Sequence, residues 1–139
     1  MIDNVTKTQI VDVGVVGVPV TDQDEALDFY VGKLGFECRV DTPIPNGGRW
    51  IMVAPTSATT AIALVAASED IPAGVETGIR FTTSDAAADH TAMLDQGIDV
   101  GELLQWPGVP AMFAFRDQDG NGMEIIELSD QPSTGRVGS

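Results

Sequence analysis

Phe115-Arg116-Asp117-Gln118-Asp119-Gly120-Asn121-Gly122-Met123-Glu124-Ile125-Ile126-Glu127 is the stretch from which the fold can be read. Asp119-Gly120 and Asn121-Gly122 form a polar turn between two apolar runs, Ala111 to Phe115 and Met123 to Leu128, which predicts a hairpin. Side chains alternate between the faces of a strand, so Glu124 leaves the sheet on the side opposite Met123 and Ile125. If that side lines a cavity, the carboxylate points into it.

Working back from the hairpin, Gly78 to Thr83 reads as a strand, Ser84-Asp85 as a helix start and Ala86 to Gln96 as a helix. Gly97-Ile98 supplies a left-handed stop with its apolar contact, and Val100 to Leu104 is a further short strand. The first half of the chain has the same order. Ile10 to Val20 is a β-branched strand ending at Thr21-Asp22, and Asp22 with Glu25 has capping-box spacing. Ala26, Leu27, Tyr30, Val31 and Leu34 then recur at helical spacing before the stop at Gly35-Phe36. Phe36 to Asp41, Arg49 to Ala54 and Thr60 to Ala67 complete a βαβββ unit, and the second half repeats it, as an internal duplication would. The prediction is one α+β domain over residues 9–129, with module one at about 9–67, a linker at 68–77 and module two at about 78–129. Residues 130–139 read as a flexible polar tail.

Composition narrows the function more by exclusion. The chain has 139 residues, 43% of them apolar, enough for one core of useful size. Seven Lys and Arg against 21 Asp and Glu give a formal charge of -14. That balance repels phosphate backbones and anionic lipid surfaces, so neither nucleic acid nor membrane is an expected partner. No run has the length of a membrane span and the first residues lack a signal pattern, which leaves a cytoplasmic location as the expectation. Cys38 is the lone cysteine, so a disulfide framework and a thiolate metal cluster are both excluded.

The ordered set of motifs resembles the vicinal oxygen chelate superfamily, the glyoxalase, bleomycin-resistance and extradiol dioxygenase family. Three features carry the resemblance: Val20-Thr21-Asp22 leading to Ala26, Phe29, Tyr30 and Leu34-Gly35-Phe36; the shorter echo from Asp85 to Gly97; and Phe115 through Glu127. Together they span about Val11 to Leu128. The resemblance implies two βαβββ modules whose sheets form a curved, open, barrel-like surface around a cavity, with the helices outside, in a homodimer. In metal-using members a divalent ion is held by His, Glu or Gln side chains on the first and last strand of each module. The matching positions here are Val15, Ala63, Gly78 and Glu124, and three of the four have no ligand atom. The neighbours Gly14, Val16, Gly17, Ile62, Leu64 and Ile79 supply none either, Thr77 is a ligand type only weakly, and His90 falls on the second helix. No metal cofactor is therefore expected, the alternative being a divalent metal held through Glu124.

Strand alternation suggests what fills the site instead. With Ile79 and Phe81 turned to the core, Gly78, Arg80 and Thr82 share a face with Ala63 and Glu124. Arg80 is then the natural partner of Glu124; the alternative is an arginine at a strand edge in water. In a dry cavity, Glu124→Gln would strand the cation at a cost of roughly 3 to 5 kcal/mol. Ile51 and Val53 are the better core residues of their strand, which leaves Trp50 and Met52 facing the cavity. Trp106, beside Pro107-Gly108-Val109-Pro110, lies on a loop able to close over a ligand, and a plain packing role is equally open for each tryptophan. The expected function is small-molecule binding without metal, the ligand being an aromatic or amphipathic metabolite or drug. The alternative is an enzyme of the same superfamily, either a metal-dependent lyase or dioxygenase or a metal-free isomerase or cyclase with Glu124 as catalytic base.

Overall fold

Eight strands and two helices build two four-stranded sheets, and the computed structural model describes them over residues 7–45 and 47–128. The first module runs β1 (Val15–Val20), α1 (Gln23–Leu27), β2 (Glu37–Pro43), β3 (Arg49–Ala54) and β4 (Ala61–Ala66). The second runs β5 (Glu76–Thr83), α2 (Ala86–Asp95), β6 (Asp99–Val100), β7 (Met112–Arg116) and β8 (Gly122–Glu127). Their strand orders are β1-β4-β3-β2 and β5-β8-β7-β6, so the first and last strands of each module pair in parallel and the duplication extends to topology. Each sheet is curved and neither closes into a barrel. The tail expected at 130–139 lies outside the described residues.

Both helices begin and end where the sequence indicates. Asp22 accepts from the Asp24 and Glu25 amides at 2.9 and 3.1 Å, and Asp85 accepts from the Ala88 amide at 3.0 Å. The return bond expected from Glu25 is absent among the described residues. Gly35 and Gly97 stop the helices at φ +81° and +76°, a region that favours glycine.

Four elements differ from expectation, one of them only in that β5 starts at Glu76, inside the expected linker, rather than at Gly78. The first strand starts at Val15 rather than Ile10, because pairing begins where Val15 meets Ala61; Ile10 and Val11, 80% and 94% exposed, precede any partner strand. The first helix widens into a π-helical segment, Asp28–Lys33, with Leu34 donating to the Phe29 carbonyl and Phe36 to that of Tyr30. The wider turn lets two consecutive aromatics, Phe29 and Tyr30, enter the core together. The strand expected at Val100 to Leu104 shrinks to Asp99–Val100 and an isolated Leu104–Met112 bridge, the chain between being held by the Gly101 amide on the Ala114 carbonyl.

One core serves both modules. Val18, Val20, Ile51, Val53, Ile62 and Leu64 from the first sheet join Phe113, Phe115, Met123 and Ile125 from the second, with Phe29 and Tyr30 between them. Phe29 stacks on Phe115 at 6.5 Å, and Phe36 meets Phe81 edge-on at 5.4 Å. The helices thus cover one face of each sheet and leave the other bare.

Candidate functional site

The turn from Asp117 to Asn121 is a polar clamp. Asp117 is buried, and its carboxylate accepts from the Tyr30 hydroxyl at 2.7 Å, from Asn121 Nδ2 at 2.9 Å and from the amides of Asp119 and Asn121. Asn121 is fully buried and spans the modules: Nδ2 donates to the Pro19 carbonyl, and Oδ1 accepts from the Gly74 and Val75 amides. Asp119 takes hydrogen bonds from the amide and hydroxyl of Thr21. The side-chain groups of Tyr30, Asp117 and Asn121 all have partners, as burial demands, while Gln118, whose Nε2 donates to Asp119, keeps a buried Oε1 without one. Burial, with Asp117 beside it, pushes the Tyr30 hydroxyl far above its ordinary range. The clamp fixes the start of β8, and with it Glu124.

Strand register sorts the expected site residues onto two bare faces. On the first sheet Val15 pairs with Ala61, and Gly17 and Met52 both pair with Ala63, so Val15, Ala63, Met52 and Trp50 share the face turned away from the core. That face is apolar; Trp50 is 40% exposed and Ala63 buried. On the second sheet Arg80 pairs with Glu124 and Glu124 with Ala114, while Ile79 and Phe81 turn inward to the core. Gly78 lies in a bulge of the same strand at φ +75°. Trp106 sits on the loop between β6 and β7 and is exposed. The structure therefore brings Gly78, Arg80 and Glu124 together, groups Val15, Trp50, Met52 and Ala63 elsewhere, and leaves Trp106 apart from both groups.

Arg80 Nε donates to Glu124 Oε1 at 2.7 Å, with the two side chains 63% and 41% exposed. The ion pair forms on an open face rather than in a dry cavity. Glu124→Gln would leave the Arg80 cation in water, so the cost of a stranded buried charge does not apply. Two residues along β8, Arg116 Nη2 reaches across Gly122 to Glu76 Oε2 while its Nη1 donates to the Gly120 carbonyl. A Cβ at Gly122 would collide with Glu76 Oε1, so the crossing requires glycine. Gly78, Ala114 and Gly122 floor a hollow of about 250 Å³ between the two pairs.

A larger cleft, about 870 Å³, opens between the two sheets, lined by Val16 and Ile62 from one and Thr77, Phe81 and Thr83 from the other. Trp50, Met52 and Trp106 line neither space.

Sequence reasoning missed Glu76, Arg116 and Gly122. Alternation along Phe113-Ala114-Phe115-Arg116 would have put Ala114 and Arg116 on the face of Glu124, and Glu76, on the same alternation as Arg80, was hidden because the strand was expected to start at Gly78 with Glu76 in the linker.

The donors present do not fit a metal ion. Val15, Ala63 and Gly78 carry no side-chain lone pair, and Glu124 is engaged by Arg80. Among the described residues no group of three His, Cys, Asp or Glu side chains is placed to hold an ion. His90 packs edge-on against Phe113, its Nε2 2.8 Å from the Gly101 carbonyl.

A family model described as the Glyoxalase/Bleomycin resistance protein/Dioxygenase superfamily matches residues 12–125. A solved structure of TnmS3, an antibiotic binding protein from Streptomyces sp. CB03234, is 34% identical, with a TM-score of 0.79 over 88% of this chain and 100% of that one. A member of the same superfamily from Sphaerobacter thermophilus DSM 20745 is 32% identical, with a TM-score of 0.79 over 87% and 100% of the two chains. The uncharacterized protein YetH of Bacillus subtilis (strain 168) is 30% identical, over 81% of this chain and 94% of its own.

Proposed function

The chain belongs to the glyoxalase/bleomycin resistance protein/dioxygenase superfamily, and from that premise we propose that it is a metal-independent binding protein for an aromatic or amphipathic small molecule, an antibiotic or a metabolite. The observation that carries this reading is the composition of the two bare faces. Where a metal-using relative needs ligand atoms, this chain has Val15, Ala63 and Gly78, and its one carboxylate, Glu124, is closed on Arg80. A superfamily shares a scaffold while function follows the site, so these substitutions weigh more than the fold. The antibiotic-binding relative, similar over its whole length, supplies the ligand class.

The two faces also favour a homodimer. In a chain of formal charge -14, the face with Val15, Met52 and Trp50 carries by register only Glu37, opposite Ala54 and ion-paired with Arg39, and the charges of the other, Glu76, Arg80, Asp99, Arg116 and Glu124, sum to -1. They are where a second copy meets least repulsion, and Trp50 and Met52 set over Arg80 and Glu124 would make one enclosed site from two open ones. β1 and β5 each edge a sheet, and such edges favour being covered. A cytoplasmic location accompanies this reading.

Calorimetry with a panel of aromatic antibiotics, run in excess chelator, tests the proposal. Saturable binding that chelator leaves unchanged supports it; binding or turnover that appears only after a divalent metal is added contradicts it.

A further inference from the structure

The hollow over Gly122 has a chemistry the fold does not require. Reading around its rim, Glu76, Arg80, Glu124 and Arg116 alternate in sign, and both ion pairs are already closed. A group with net charge would gain from one pair and lose to the other, and a zwitterion would have to pull both pairs apart. What the closed pairs leave open is a set of hydrogen-bonding positions. Among the described residues Arg80 uses only Nε, leaving both its Nη nitrogens; Glu124 uses only Oε1, leaving Oε2; Glu76 uses only Oε2, leaving Oε1; and Arg116 uses both Nη atoms, leaving Nε. These donors and acceptors belong to residues that line one hollow with Gly78, Ala114 and Gly122. Each hydroxyl of a ligand both donates and accepts, so a hydroxyl-bearing group satisfies this rim without breaking either pair. The space, about 250 Å³, is roughly that of eight liquid waters, the scale of one sugar ring.

We propose that the Arg80–Glu124 and Arg116–Glu76 pairs form a subsite for a neutral, hydroxyl-rich group of monosaccharide size, such as a sugar carried by the ligand. This deepens the binding reading above and rests on it for the identity of the rest of the ligand. Gly122 is the specificity-determining position, because its missing side chain lets the Arg116–Glu76 bridge pass over β8 and close one side of the hollow.

The test uses the full chain and free sugars alone, so that it is independent of the aromatic-ligand calorimetry. Methyl glucoside, methyl mannoside and N-acetylglucosamine are titrated to high millimolar concentration while nitrogen-15 NMR follows the Gly78 and Gly122 amides and the Arg80 and Arg116 Nε–H signals. Sodium acetate and guanidinium chloride serve as charged controls. The proposal expects a saturable shift at these four signals with at least one sugar and none with either control. It also expects a Kd at least tenfold higher in Gly122→Ala, where the Glu76 carboxylate, at the flexible end of its side chain, swings aside and the fold survives. Glu76→Gln, on a mostly exposed side chain, is the second variant and should weaken sugar binding in the same direction. No saturable shift with any sugar, a saturable shift with acetate instead, or an unchanged Kd in both variants would overturn it. A failure here beside successful antibiotic binding would locate the error in the subsite and leave the binding function standing.

Discussion

Asn121 Nδ2 donates to the Pro19 carbonyl at 2.8 Å, joining the hairpin of the second module to the last turn of the first strand. Its Oδ1 simultaneously holds the Gly74 and Val75 amides at 2.8 and 3.0 Å, where the linker enters β5. One fully buried amide therefore fixes how the two sheets meet.

Asn121→Ala leaves the buried Pro19 carbonyl and the part-buried Gly74 and Val75 amides without their partner. At about 1 to 3 kcal/mol for each buried group left unsatisfied, the loss should reach about 3 kcal/mol or more. Chemical denaturation measures it. A loss below about 1 kcal/mol would show that water or a local shift replaces the amide.

Tyr30 gives the clamp a pH signature. Its hydroxyl, raised by burial and by Asp117, ionises in the folded protein only far above the ordinary 10.0. A raised folded-state pKa means the contribution is complete below pH about 10 and is withdrawn as pH climbs beyond it, since there the unfolded chain releases a proton that the folded chain keeps. Stability should fall above that pH by up to about 1.4 kcal/mol per pH unit, and Tyr30→Phe should flatten the decline. The chain has one tyrosine, so phenolate absorbance reports on this residue alone. It should appear only with unfolding; phenolate in folded protein near pH 10 would contradict the burial.

Glu124→Gln should change stability by no more than about 1 kcal/mol, because both members of its pair are largely in water. A drop of about 3 kcal/mol or more in the isolated chain would mean that a partner surface buries the pair. Dilution separates that case, since stability would then depend on protein concentration.

The weakly charged faces lead to an expected dimer at micromolar concentration, measurable by light scattering. Trp50→Glu, which puts a charge on the apolar face, should shift the population toward monomer. A wild-type monomer, or a dimer indifferent to that charge, would place the contact elsewhere.

How far the sequence could be read differed with the kind of signal. Helix ends were legible because capping is local chemistry: Asp22, Gly35, Asp85 and Gly97 act within a few residues of themselves. The Arg80–Glu124 register followed from alternation on two parallel strands. The Arg116–Glu76 bridge did not, because it crosses a whole strand and depends on the bulge at Gly78 and the bare Cα of Gly122. Likewise the knot of Tyr30, Asp117 and Asn121 links residues 87 and more positions apart, a separation that propensity and periodicity do not register. Gathering Trp50, Met52, Arg80 and Glu124 into one cavity assumed a single enclosed chain, whereas the structure puts them on two sheets.

Native mass spectrometry of protein purified without chelator, before and after addition of an aromatic antibiotic panel, tests metal-free binding most directly. The account predicts protein free of zinc, nickel, manganese and iron that gains one small molecule per chain. About one metal ion per chain, lost in Glu124→Ala, would contradict it and return the chain to the metal-dependent enzymes of its superfamily.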